Sequence, residues 1–117
     1  MDKSICMPDC DSLIVLREGE EAEFRLKGEL DHAGVRPLRE AIDSTLILYR
    51  PLHVTLDLSE VTFADSAGLG LILGRYARIK EYGGELQLTG VSKEFQKILH
   101  LAGADRMMRV NGGKTEK

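Results

Sequence analysis

The hydrophobic period changes twice between His53 and Thr89, and this constrains the fold more than any other feature of the chain. Val54, Leu56 and Leu58 alternate with other residues, the pattern of a strand with one buried face. From Ser66 to Tyr82 the apolar positions Leu69, Ile72, Leu73, Tyr76 and Ile79 follow helical spacing, and the pair Gly83-Gly84 stops the helix. Alternation then returns with Leu86 and Leu88. A strand, a long helix and a second strand in this order call for a crossover connection and parallel pairing.

The flanking segments extend this unit. Ser12 to Arg17 and Ala22 to Lys27 read as strands, and the turn Glu18-Gly19-Glu20-Glu21 joins them into an antiparallel hairpin expected to open the sheet. After a turn at Gly28-Glu29-Leu30-Asp31-His32, the residues Val35, Leu38, Ile42, Thr45/Leu46 and Tyr49 mark an amphipathic helix. Its start is expected between Ala33 and Arg36, so that Pro37 falls in the first turn, where no intrahelical hydrogen bond is lost. Pro51 ends it. Ser92 caps a third helix carrying Phe95, Ile98, Leu99 and Ala102, and Met107 to Val110 suggests a last strand. The fold class is therefore α/β: one domain, an N-terminal β-hairpin, then alternating helices and strands forming a mixed sheet packed by helices. Residues 1–11 read as an N-terminal extension, 12–110 as the domain and 111–117 as a polar flexible tail.

Composition narrows the function. The 117 residues suit a single core, and 43% hydrophobic with 30% charged residues is the balance of a globular domain. A formal net charge of -3 without a basic stripe argues against nucleic-acid binding. The apolar runs Leu46 to Leu48 and Leu69 to Leu73 are far shorter than the roughly 20 residues a membrane span requires. Met1 to Cys10 lacks a basic start and an apolar centre, so no secretory signal is read and a cytoplasmic location is expected. Cys6 and Cys10 form a C-x3-C pair with no second ligand pair, which points to reduced thiols rather than zinc. No metal and no cofactor are implied.

The segment Val61-Thr62-Phe63-Ala64-Asp65-Ser66-Ala67-Gly68-Leu69-Gly70 leads into the long helix and carries the most chemistry. Ser66 is read as the helix N-cap, a role that by itself needs no function. Gly68 and Gly70, however, each weaken a helix by about 0.5–1 kcal/mol relative to alanine. Small residues around a hydroxyl leave room for a second protein's active site to approach. The helix terminus also accommodates an anion, and a phosphoryl group on Ser66 would add a charge of about -1.5 to -2 beside Asp65. At about 100° per residue, Leu71, Arg75 and Arg78 fall opposite Leu69, Ile72, Leu73 and Tyr76, so Leu71 and Arg75 are expected to face solvent as part of a docking surface.

Enzymatic readings fail on spacing. Ala64-Asp65-Ser66-Ala67-Gly68 lacks the first glycine of a nucleophile elbow, and the only histidine after Ser66, His100, is followed rather than preceded by Asp105. Gly113-Lys114-Thr115 has Met108 where a P-loop needs glycine. Gly68-Leu69-Gly70 with Gly74 has the wrong spacing for a dinucleotide fingerprint and is separated from its strand by an expected seven-residue loop, so helix packing is the better account of these glycines.

Three stretches resemble the STAS-domain anti-sigma factor antagonists: Gly28-Glu29-Leu30-Asp31-His32; Asp57-Leu58 through Phe63-Ala64-Asp65-Ser66-Ala67-Gly68-Leu69-Gly70; and Ile72-Leu73-Gly74-Arg75-Tyr76 on to Gly83-Gly84-Glu85. The resemblance spans roughly residues 12 to 110 and is much more specific than a short motif. It implies a non-enzymatic switch. Ser66 would be phosphorylated by an anti-sigma factor that is also a serine kinase; the unphosphorylated form would bind that factor and free the sigma factor; and a PP2C-like phosphatase would reset the cycle. The sigma factor would be an indirect partner only. Asp31, in the matching G-E-L-D stretch, joins Asp65, Gly68, Gly70, Leu71 and Arg75 as an expected partner-binding residue, and its simpler role is a helix N-cap. Ala67 stands where such proteins often have a second serine, which leaves Ser66 as the one motif hydroxyl. A monomer is expected in the free state. A STAS interaction or scaffold module that is never phosphorylated is the alternative.

Overall fold

The computed structural model describes residues 3–6 and 13–112. Ten elements follow one another: β1 (Lys3–Cys6), β2 (Leu13–Glu18), β3 (Glu21–Leu30), α1 (His32–Tyr49), β4 (His53–Ala64), α2 (Ser66–Glu81), β5 (Glu85–Val91), α3 (Lys93–Leu101), a 3₁₀ turn (Ala104–Arg106) and β6 (Arg109–Gly112). The strands form one sheet in chain order, β1-β2-β3-β4-β5-β6. β1, β2 and β3 pair antiparallel, whereas β3, β4, β5 and β6 pair parallel. The expected α/β class with a mixed sheet is what the chain adopts.

Consecutive parallel strands that are also neighbours require every crossover to turn the same way, which places the helices on one side of the sheet. Burial agrees with this. The cross-strand rows Ala22–Val54–Leu86 and Phe24–Leu56–Leu88 are buried. They share a core with Leu38, Ile42 and Leu46 of α1, Ile72 and Ile79 of α2, and Phe95 and Leu99 of α3. The intervening positions are polar and pair with one another: Gln87 Nε2 donates to Thr55 Oγ1 over 3.1 Å, and Arg25 Nε donates to Glu23 at 3.0 Å. A parallel sheet covered on both faces would need continuous apolar runs, so the alternation in β4 and β5 is the sequence signature of one-sided coverage.

Several boundaries differ from the sequence reading. The hairpin does not open the sheet, because β1 pairs with the outer edge of β2 from Lys3↔Arg17 to Cys6↔Ile14. The Gly28-Glu29-Leu30 turn is the end of β3, which continues beside a longer β4 through Gly28↔Val61, Glu29↔Phe63 and Leu30↔Ala64. Register shifts between Arg25 and Lys27 and between Gly28 and Glu29 break the alternation there and disguise the strand. The loop expected before α2 is likewise strand. α1 begins at His32, so Pro37 lies in its second turn rather than its first. Both Pro37 and Ala33, whose carbonyl loses its i+4 donor, are accessible to solvent, so water can replace the missing partner. Tyr49 is half exposed, with the Arg17 guanidinium 3.8 Å from its ring centroid. Asn111 and Gly112 belong to β6, while the rest of the expected tail, 113–117, and Cys10 of the C-x3-C pair lie outside the described residues.

Candidate functional site at the paired helix N-termini

The carboxyl ends of β3 and β4 lie side by side, with Leu30 paired to Ala64. The next residue of each strand is an aspartate that starts a helix. Asp31 Oδ1 accepts a hydrogen bond from Gly34 N over 2.8 Å, and Asp65 Oδ1 accepts one from Ala67 N over 2.9 Å. Asp31 is thus the α1 N-cap, as its simpler role suggested. Asp65 and not Ser66 is the α2 N-cap, which corrects the assignment of Ser66 by one position. The aspartate has the extended backbone of a cap and its carbonyl already accepts from Leu69 N, so Ser66 is the first helical residue.

This shift matters for the chemistry. The Asp65 carboxylate makes the cap bond, so the Ser66 hydroxyl is not tied down by it. Ser66 is exposed to solvent at the positive end of a 16-residue helix.

Two glycines hold the neighbouring strand and helix close. A Cβ on Gly34 would collide with the Glu29 carbonyl oxygen, and one on Gly68 would stand 3.1 Å from Leu30 Cβ and 3.3 Å from the Leu30 carbonyl oxygen. Gly68 therefore seats the Ser66 helix on the strand that ends at Asp31. Gly70 is different: it is exposed, and an added Cβ would meet nothing within 4 Å. An added Cβ on Gly74 would be equally free, so packing explains Gly68 but neither of the other two.

Leu71 and Arg75 do not face solvent. They are 4% and 6% exposed, and the buried stripe of α2 runs Gly68, Leu71, Ile72, Arg75, Ile79. Leu69, Leu73 and Tyr76 are only partly buried at its border. The stripe is rotated because α2 packs on α1 as well as on β4 and β5, so its inner arc turns toward α1. Arg75 enters that interface to meet Asp43, with Nε 2.9 Å from Oδ1, and Arg78 Nε lies 3.4 Å from Oδ2 of the same carboxylate. Burial lowers the Arg75 pKa, Asp43 opposes the shift, and Arg78 and Arg39 add to it. Arginine keeps its proton even so. Arg75 is therefore a buried clamp between α1 and α2.

Sequence reasoning passed over Asp43, whose signal was an acid directly after Ile42 on the packed side of α1. Phe63 stands out in the sequence only as part of the motif. Phe63 is 51% exposed, pairs with Glu29 across the strands and precedes Ser66 by three residues.

The family model described as Mlab, STAS domain, matches residues 15–110. The chain belongs to the STAS domain family. It is 36% identical over 86 residues to a protein of Paenibacillus polymyxa named anti-sigma F factor antagonist, covering 74% of each chain. To the anti-sigma-B factor antagonist of Staphylococcus aureus it is 31% identical over 96 residues, covering 78% of this chain and 83% of that one. The fold is also that of the Bacillus cell fate determinant SpoIIAA solved in its phosphorylated form, with a TM-score of 0.66, 24% identity and coverage of 94% and 90%. Among the described residues no helix of this STAS domain is long and apolar enough to cross a membrane.

Proposed function

We propose that this STAS domain is an anti-sigma factor antagonist switched by phosphorylation of Ser66. The observation that carries the reading is the exposed serine at the first position of α2, beside an aspartate that has taken over the capping bond. A kinase can reach such a hydroxyl without unwinding the helix. Unphosphorylated, the protein binds an anti-sigma factor that is itself a serine kinase, and the sigma factor is freed. In the reverse half of the cycle the Ser66 oxygen takes the γ-phosphoryl group of ATP, ADP leaves and the hydroxyl proton passes to a base on the kinase.

The phosphorylated surface then carries about two more negative charges next to Asp65 and Asp31, and the partner lets go. The helix end tolerates the anion, so the fold persists while binding is lost. A PP2C-like phosphatase returns serine and inorganic phosphate by hydrolysis. The protein catalyses neither step. Asp31, Asp65 and Gly70 contribute to the partner surface, Gly68 holds its two halves together, and the cycle takes place in the cytoplasm. The 36% identity to the Paenibacillus polymyxa sigma F relative, against 31% to the sigma B relative, favours a sigma F system, and with it a role in sporulation.

The test uses the anti-sigma F factor of Paenibacillus polymyxa with Mg-ATP and intact-mass measurement. One phosphoryl group is gained by the wild type and none by Ser66→Ala. A factor that binds the chain yet leaves its mass unchanged would reduce it to a passive interaction module.

A further inference from the structure

Arginines cluster where α1 packs on α2 and in the groove beside that contact. Asp43 engages both carboxylate oxygens, one with Arg75 and one with Arg78, and Arg39 crowds the same group of charges. The Arg75 side chain is 7% exposed, and its contact with Asp43 is an ion pair: among the described residues Nε, Nη1 and the facing Asp43 Oδ1 make no hydrogen bond. Further along, Arg50 caps α1 in the left-handed conformation, with φ at 45°. That backbone costs a non-glycine residue about 1 kcal/mol, so glycine would be the cheaper choice there.

Arg50 and Arg78 line a groove of about 470 Å³, together with Leu46, Ile47, Glu81 and Tyr82. Ile47 is 63% exposed. The groove's own lining holds two guanidinium groups, those of Arg50 and Arg78, against one carboxylate, that of Glu81, and the Asp43 carboxylate beside Arg78 is shared with the buried Arg75. The local excess is positive although the whole chain has a formal charge of -3. An apolar wall under a cationic rim fits an acidic segment that carries a large apolar side chain.

Toward the Ser66 end, α2 presents little side chain on this side. Along α2, Gly70 and Gly74 add no side chain to the ridge from Ser66 to Arg78, over about 18 Å at 1.5 Å per residue. A partner seated over Ser66 and extending along α2 therefore meets no side chain at Gly70 or Gly74 on its way to Arg78.

We propose that the groove between the C-terminal halves of α1 and α2 is a second docking site, which takes an acidic, apolar-bearing segment of the same anti-sigma factor that meets Ser66. This rests on the function proposed above for its choice of partner. Acidic side chains of that segment pair with Arg78 and Arg50, and an apolar one covers Ile47. Complementary charge at this distance from Ser66 speeds association and fixes the register of the helix on its partner.

Binding of the unphosphorylated protein to the Paenibacillus polymyxa anti-sigma F factor is measured at about 0.05 M and 0.15 M salt. Arg78→Glu is expected to weaken it at least about tenfold, largely in the association rate, and to flatten its salt dependence. Arg50→Gly is expected to weaken it about threefold while leaving the thermal midpoint unchanged or higher, which separates docking from stability. Binding by folded Arg78→Glu within about twofold of wild type overturns the proposal and leaves the Ser66 reading intact.

If the factor does not bind the wild type, the Ser66 reading fails and a second probe decides the groove. This is a short peptide of repeated Glu-Glu-Leu triplets, followed by amide NMR shifts. Shifts at Leu46, Ile47, Arg78 and Tyr82 that vanish in Arg78→Glu, and are not produced by a Lys-Lys-Leu peptide, sustain the site. Their absence overturns it.

Discussion

Gly68 lies against Leu30 so closely that a methyl group in place of its hydrogen would stand 3.1 Å from the Leu30 Cβ. The same methyl would be 3.3 Å from the Leu30 carbonyl oxygen and 3.4 Å from Ala64 Cβ. All three atoms belong to the backbone or are fixed directly to it, so none can swing aside. Gly68→Ala therefore sets about 1 kcal/mol of helix propensity against crowding of about 1–3 kcal/mol. The crowding prevails, and urea unfolding should show a net loss of about 1 kcal/mol. A stabilised Gly68→Ala protein would mean that α2 is not seated on β3 as described.

Two residues further on, the same substitution should have the opposite sign. A Cβ on Gly70 meets nothing within 4 Å, so Gly70→Ala gains the helix propensity and should raise stability by about 0.5–1 kcal/mol. If bare backbone is kept there for the approach of a partner, affinity for the anti-sigma factor falls about tenfold as stability rises. A more stable variant that binds as well as wild type would remove Gly70 from the partner surface.

This pair shows where sequence reasoning reached its limit. The period switches around α2, the hairpin turn at Gly19, the Ser92 cap and the stop at Gly83-Gly84 are local signals, and each produced its element. Gly68 and Gly70 look alike in sequence and differ only in what stands opposite, which is a tertiary fact. The ends of β3 and β4 were hidden because the register shifts put Glu29, Thr62 and Phe63 out of step with the earlier alternation. Arg75 and Leu71 were placed in solvent because the buried stripe was centred on Leu69, Leu73 and Tyr76, and the packing on α1 that rotates it is not visible in a single helix. Only the pairing of Arg75 with Asp43, far earlier in the chain, makes its burial tolerable.

Tyr82 offers a test in pH. Its hydroxyl donates to the Pro51 carbonyl over 2.8 Å and ties the end of α2 to the start of β4, and burial raises its pKa. The folded phenol thus holds its proton more tightly than the unfolded one, whose pKa is about 10. Below that pH both states are neutral and the contribution is complete; as pH rises through about 10 the unfolded chain ionises first and stability is lost. Tyr82→Phe should cost about 1 kcal/mol near neutrality, and its deficit relative to wild type should narrow by about pH 10.5. Urea unfolding at the two pH values measures this, and a constant deficit would show that burial does not raise the Tyr82 pKa.

The ion pair between α1 and α2 should respond unequally to loss of its two members. Asp43→Ala leaves Arg75 buried with no counter-charge, since Arg39 and Arg78 are also cationic. Breaking a buried pair in this way costs about 3 kcal/mol. Arg75→Met keeps most of the buried volume, removes the desolvated charge and leaves Asp43 paired with Arg78, so its effect should stay within about 1 kcal/mol of wild type. The double variant should then recover most of what Asp43→Ala loses, because the stranded charge is gone. Urea unfolding of the three proteins gives the coupling directly. Equal losses from the two single variants would instead mean that the pair itself stabilises the domain and that stranding the Arg75 charge adds no further cost.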